Sequence, residues 1–274
     1  MTESIVIKSK NTEQEYQITI DLPYTYKHFP DKYYLTAYVL DGNLFPGIVS
    51  GITRVMESNP NYPELLVVGI GYPLDGLYGD NGKIFQTIRT KDFTPIRDAV
   101  TEEEMKRALK LDSIQTGGAT EFMNFLTEEL MPKIESTYRA AAENRVVIGD
   151  SLGGLFALYT LFQRPQLFGN YIIGSPTLGY GNKVLFKIEE EHSKQTNELE
   201  ANVFMGIGGE EEIPFGMLST ISVSDFYKFT SIVQHRGYKG LNLKRKVFEG
   251  NDHFAVPALV FQAGLKHVLK YGAV

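Results

Sequence analysis

Residues 146 to 154 read Val-Val-Ile-Gly-Asp-Ser-Leu-Gly-Gly, an apolar run that leads into the spacing G-x-S-x-G and then into a second apolar stretch. A serine between two such glycines, on a turn from strand to helix, is the arrangement of a nucleophile elbow. There the hydroxyl stands clear of the sheet, and a Cβ on either glycine would strike neighbouring backbone. Ser151 is therefore the candidate nucleophile of an acyl transfer. A hydroxyl needs a base to take its proton, and the chain order that goes with this elbow is serine, then acid, then histidine. His253 fits the base, because Glu249, Gly250, Asn251 and Asp252 before it form a turn-rich stretch between a strand and the last helix. His192 and His235 lie in polar helical stretches and read as solvated; His267 lies inside the last helix and reads as packing or a helix-end charge. The acid is expected after the seventh strand, where Glu210, Glu211 and Glu212 are consecutive. Three adjacent carboxylates cannot all face one imidazole, so the residue types leave that choice open. The acid's task would be to accept the His Nδ1 proton and hold the tautomer. A tetrahedral oxyanion needs two N–H donors. Leu152, at a helix N-terminus, offers one, and Gly42 or Asn43, after the third strand, offers the other. Asp41 reads as a turn-fixing carboxylate.

These residues require a scaffold that brings four loops to one edge. Short runs rich in Val, Ile, Tyr and Phe recur at 4–8, 16–20, 34–40, 65–70, 145–148, 170–173, 203–207 and 243–248. The first two alternate in period 2 and predict an antiparallel edge hairpin; most of the others are continuous apolar runs, as parallel strands buried on both faces require. Helices are predicted between them. One runs over 120–134 with Thr120 as its cap, one over 152–164 ending before Pro165, and one over 256–271 with Pro257 in its first turn. The stretch 72–118 is rich in Gly, Pro, Asp and Thr, and only 101–109 reads as helix, with Thr101 and Glu104 as a capping box. So long an excursion predicts a cap over the site. The expected organisation is one domain over 1–274 with 72–118 as a cap-like insertion.

The composition narrows the partners. The chain has 274 residues, 43% of them hydrophobic, enough for one large domain. Its 27 Lys and Arg against 33 Asp and Glu leave a net charge of −6, with no dense basic block, which argues against nucleic acid. The first ten residues hold neither a secretory signal nor a membrane span, so a cytoplasmic protein is expected. There is no cysteine, hence no disulfide, thiolate zinc site or cysteine nucleophile.

Several segments taken together resemble a known family: 38–45 (YVLDGNLF), 89–95 (RTKDFTP), 117–138, 148–159 (IGDSLGGLFALY), Ser175 with Pro176, and 250–253. They resemble the putative-esterase family of α/β-hydrolases, most closely its enterochelin (siderophore) esterase branch. The resemblance implies an α/β fold with an eight-stranded, mostly parallel sheet flanked by helices. It also implies a Ser, acid and His triad with no metal or organic cofactor. Matching Gly208 to the family glycine three places before the acid selects Glu211, although Gly209 and Glu210 depart from the family's usual residues. The implied activity is hydrolysis of small-molecule carboxylic esters, of short acyl groups or of a siderophore. For a catecholate trilactone, Arg89, Arg97 and Tyr72 are the expected substrate contacts, with Phe85, Phe93 and Ile96 walling an acyl pocket. The family also holds thioesterases and acyltransferases. A catalytically silent binding protein is the rival from another class, and the intact Ser151, His253 and acid loop argue against it. Nothing in the residues indicates an oligomeric state.

Overall fold

The computed structural model describes residues 2–212 and 220–271. Eight strands form one sheet: β1 (Thr2–Lys8), β2 (Glu15–Asp21), β3 (Leu35–Val39), β4 (Leu65–Gly71), β5 (Val146–Asp150), β6 (Asn170–Gly174), β7 (Glu198–Gly208) and β8 (Lys239–Phe248). Their order is β1-β2-β4-β3-β5-β6-β7-β8. β1 pairs with β2, and β2 with β4, antiparallel, while every other neighbour is parallel. The loops after β3, β5, β7 and β8 therefore open at one edge, where ligands bind in open α/β sheets.

The central strands are apolar on both faces because both are covered. Tyr38, Val68, Val147 and Tyr171 enter one core with α4 (Ala119–Asn124), α5 (Met131–Thr137) and α6 (Leu152–Gln163). Val39, Val67, Ile148 and Ile172 enter the other with α1 (Pro46–Met56) and α9 (Pro257–Tyr271). Each fully buried Val, Ile or Phe contributes roughly 1.5–3 kcal/mol. β7 and β8 run several residues further back than their apolar runs predict: the β7 extension alternates exposed and buried residues, and the β8 extension is exposed or half-buried at the sheet margin, so neither adds to a continuous apolar run.

Three local expectations are corrected. The stretch 72–118 carries two helices, α2 (Asp80–Phe93) and α3 (Ala99–Leu109). α3 starts at Ala99 because the Asp98 side chain accepts from the N–H of Val100; Thr101 lies inside the helix and donates its hydroxyl to Asp98. α4 starts at Ala119, and the hydroxyl of Thr120 bonds that of Tyr159 instead of capping. Between α4 and α5 the chain makes a π-helical turn, Phe125–Leu130. Two further helices, α7 (Tyr180–Gln195) and α8 (Val223–Arg236), flank β7 along the chain; Gly181, Asn182 and Lys183 at the start of α7 are left-handed. Among the described residues no helix is long and apolar enough to cross a membrane.

Candidate active site

Ser151 stands between the end of β5 and the start of α6 with φ 58° and ψ −118°. A non-glycine residue there carries strain of about 1–3 kcal/mol, held by its surroundings. Its N–H donates to Gly174 O at 3.0 Å, and its carbonyl accepts from Leu155 N–H at 3.0 Å. The turn closes only because Gly149 lacks a side chain: a Cβ there would lie 2.3 Å from Gly153 O. Leu152, the first residue of α6, has no acceptor for its N–H among the described residues.

Across from the elbow, the loop after β3 holds Asp41 at φ 50°. Gly42 packs against β4, where a Cβ would sit 2.4 Å from the carbonyl carbon of Ile70, and its N–H donates to Ile70 O at 2.8 Å. That N–H is engaged. Asn43 differs. Its side-chain amide exchanges two 2.8 Å hydrogen bonds with the backbone of Tyr72, while its own N–H has no acceptor among the described residues.

The three glutamates after β7 part company. Glu211, 7% exposed, accepts from Ser175 Oγ at 2.6 Å and from Gly208 N–H at 2.7 Å through Oε1, and its Oε2 lies 2.6 Å from His253 Nδ1. Glu212 turns outward to the first turn of α8, accepting from Ser224 N–H at 2.7 Å. Glu210 is exposed. Burial works to lower the pKa of His253, but the hydrogen bond it donates to Glu211 and the charges of Asp150 and Glu211 outweigh it and hold it above the ordinary histidine value.

Ser151, Leu152 and His253 line a cavity of about 490 Å³. Its roof comes from α2 (Phe85, Arg89) and α3 (Glu104, Met105), and its walls include Leu44, Phe45 and Ile221. Asp150 also lines it. This carboxylate is 2% exposed and its Oδ1 has no hydrogen-bond partner. Burial pushes its pKa up to about 7, against the pull of His253 and Arg89 and with the push of Glu211 and Asp41. A roomier depression of about 850 Å³ lies at the opposite edge of the sheet and contains none of these residues. Among the described residues no group of three or more His, Asp or Glu is placed to hold a metal ion.

The residues expected to contact substrate are differently employed. Arg89 faces the cavity, but its Nε and Nη2 bind the two oxygens of Asp41 at 2.7 Å each. Tyr72 is 2% exposed, with its hydroxyl on Asp92, and does not line the cavity. Arg97 has a side chain 79% exposed and pairs with Glu102 at 3.3 Å. Phe85 walls the cavity, whereas Phe93 is in the core and Ile96 is on the surface. Sequence reasoning did not single out Asp150 or the Arg89–Asp41 pair. Ser175 was visible only as part of a family segment.

Known proteins resemble the chain over nearly its whole length. The family described as Putative esterase matches residues 9–269. The ferri-bacillibactin esterase BesA of Bacillus subtilis (strain 168) is 28% identical over 269 residues, covering 96% of this chain and 88% of that one. The structure of BES protein from Bacillus cereus superposes with a TM-score of 0.79 at 29% identity, over 97% of this chain and 94% of the other. The siderophore hydrolase EstA from Aspergillus nidulans shares the fold, with a TM-score of 0.83 at 22% identity over 99% and 95% of the two chains. Since the family match runs from β2 into α9 with the elbow near its centre, this chain belongs to the putative esterase family and has the α/β-hydrolase fold.

Proposed function

We propose that the chain hydrolyses carboxylic esters of small molecules, siderophore esters among them, through an acyl-enzyme on Ser151 with His253 as base and Glu211 as acid. The observation that carries the reading is the 2.6 Å contact of His253 Nδ1 with a buried carboxylate, in a cavity that both His253 and the strained Ser151 line. With Nδ1–H donated to Glu211, Nε2 is left as the acceptor on the cavity side. Ser151 Oγ attacks the ester carbon as its proton passes to Nε2. The carbonyl electrons move onto oxygen, which accepts from the N–H groups of Leu152 and Asn43. Collapse expels the alcohol, which takes the proton from His253. Water then repeats the sequence on the acyl-enzyme and frees the acid. No hydrogen bond joins Ser151 to His253 among the described residues; such contacts commonly tighten only when substrate is bound.

A siderophore substrate is supported by the relatives' names, ferri-bacillibactin esterase and siderophore hydrolase. The cavity wall is largely apolar, which suits a short acyl group beside the ester.

Replacing Ser151 by Ala tests the mechanism. Hydrolysis of p-nitrophenyl butyrate and of a catecholate trilactone should fall to a small residue of wild-type turnover, while a fluorophosphonate should label the wild type at Ser151 alone. Turnover that survives the substitution would rule the mechanism out.

A further inference from the structure

Helix α2 grips the loop after β3 at two points. Arg89, 8% exposed, meets Asp41, 0% exposed, in a bidentate pair with both contacts at 2.7 Å. Its guanidinium also lies 5.5 Å from the ring centre of Phe85 and 5.8 Å from that of Phe93. Three residues further along the helix, Asp92 accepts the hydroxyl of Tyr72 at 3.1 Å and that of Tyr16 at 2.8 Å. Tyr72 in turn is tied through its backbone to the side-chain amide of Asn43 at 2.8 Å in both directions. One helix thus holds Asp41 directly and Asn43 through Tyr72, on either side of Gly42.

We propose that Arg89 and Asp92 are positioning residues for the Asn43 N–H, so that α2 splints the oxyanion loop and does not use Arg89 to bind substrate charge. The proposal rests on the reading of that N–H as an oxyanion donor. Two features favour it over substrate binding. Arg89 has already committed its fork to a fully buried carboxylate, and withdrawing it toward a ligand would strand Asp41 as an unpaired buried charge. Asp41 also holds φ 50° without being glycine, and a bidentate partner fixes such a conformation more firmly than a point charge does. A donor displaced by about 1 Å loses most of its value to the tetrahedral state and little to the ground state.

The test uses Arg89→Lys, which keeps the charge and loses the fork, and Tyr72→Phe, which removes only the hydroxyl that reaches Asp92. Both are assayed on neutral p-nitrophenyl butyrate and anionic p-nitrophenyl hemisuccinate. Expected for Arg89→Lys is a fall in kcat of about tenfold or more on both esters, equal within about twofold, with KM changed less than about threefold. The inhibition constant of a trifluoromethyl ketone, which forms a tetrahedral oxyanion on Ser151, should rise by the same factor as kcat/KM falls. Tyr72→Phe should show the same pattern at about threefold, and it decides the matter if Arg89→Lys does not fold. Unchanged kcat on both esters, or a rise in KM confined to the anionic ester, would overturn the splint. Ser151→Ala separates the two levels: an inactive Ser151→Ala beside unchanged kcat in both variants removes only the splint, whereas an active Ser151→Ala removes the reading beneath it.

Discussion

Glu210, Glu211 and Glu212 are chemically identical neighbours that end in three environments, one exposed, one buried against His253 and one at a helix start. Glu211→Gln should therefore cost at least about 100-fold in kcat, since an amide no longer holds the tautomer or stabilises the imidazolium. Glu210→Gln should stay within about twofold, and Glu212→Gln should lower the unfolding midpoint slightly without touching kcat. Steady-state kinetics on the three variants decides the register. His253 carries a pH consequence as well. On the proposed mechanism the base must be neutral to accept the Ser151 proton, so kcat/KM should rise as pH passes the His253 pKa, which lies above the ordinary value. Asp150 is one of the charges that hold it there, after the hydrogen bond to Glu211. Asp150→Asn should therefore shift the acid limb of the pH profile to lower pH, and a limb that stays in place would remove Asp150 from that role.

At the scale of elements, α2 is the helix the periodicity did not reveal. Its buried face includes Arg89, Thr90 and Asp92, so the apolar stripe that marks most helices is interrupted by groups whose partners lie on β2, in the loop after β3, after β4 and on α3. α6 shows the opposite case: Leu155, Phe156, Leu158, Leu161 and Phe162 are apolar because a helix behind a central strand meets nothing else. The junction of α2 with the sheet predicts a stability effect. Burial pushes the Asp92 carboxyl up to about 7, although the hydroxyls of Tyr16 and Tyr72 pull it down. An unfolded chain releases that proton near pH 4, so between about pH 4 and 7 the folded chain binds more protons and stability falls as pH rises, by on the order of 4 kcal/mol across the window. Asp92→Asn should flatten that slope in urea unfolding measured from pH 5 to 7.5. An unchanged slope would mean that Asp92 is ionised in the fold.

For the whole molecule, the parallel strands carry the loops after β3, β5, β7 and β8 to one edge, and α2 and α3 roof the cavity they make. On the proposed activity, its volume of about 490 Å³ and its apolar wall set a limit on the acyl group. kcat/KM for p-nitrophenyl butyrate should exceed that for the palmitate by about tenfold or more, measured in matched detergent. Equal values would mean that the roof opens widely enough to admit a long chain. The charge around the site leads away from the sequence expectation. Arg89 is neutralised by Asp41 and Arg97 points to solvent, so neither offers a free cation at the cavity wall.

The amino-acid sequence by itself determined the elbow at Gly149, Ser151 and Gly153, the strand pattern and the ends of α6 and α9, because each depends on residues within a few positions of one another. Periodicity reports which face of an element is apolar, and glycine and proline report where backbone must turn. Neither reports which buried polar group meets which. Glu211 finds His253 42 residues away, Arg89 finds Asp41 48 residues away, and Asp92 finds Tyr16 76 residues away. The same holds for Gly42 and Asn43, equivalent on the page until packing against β4 takes the N–H of Gly42 for Ile70. A buried polar atom must be paired, and only the tertiary structure decides by what.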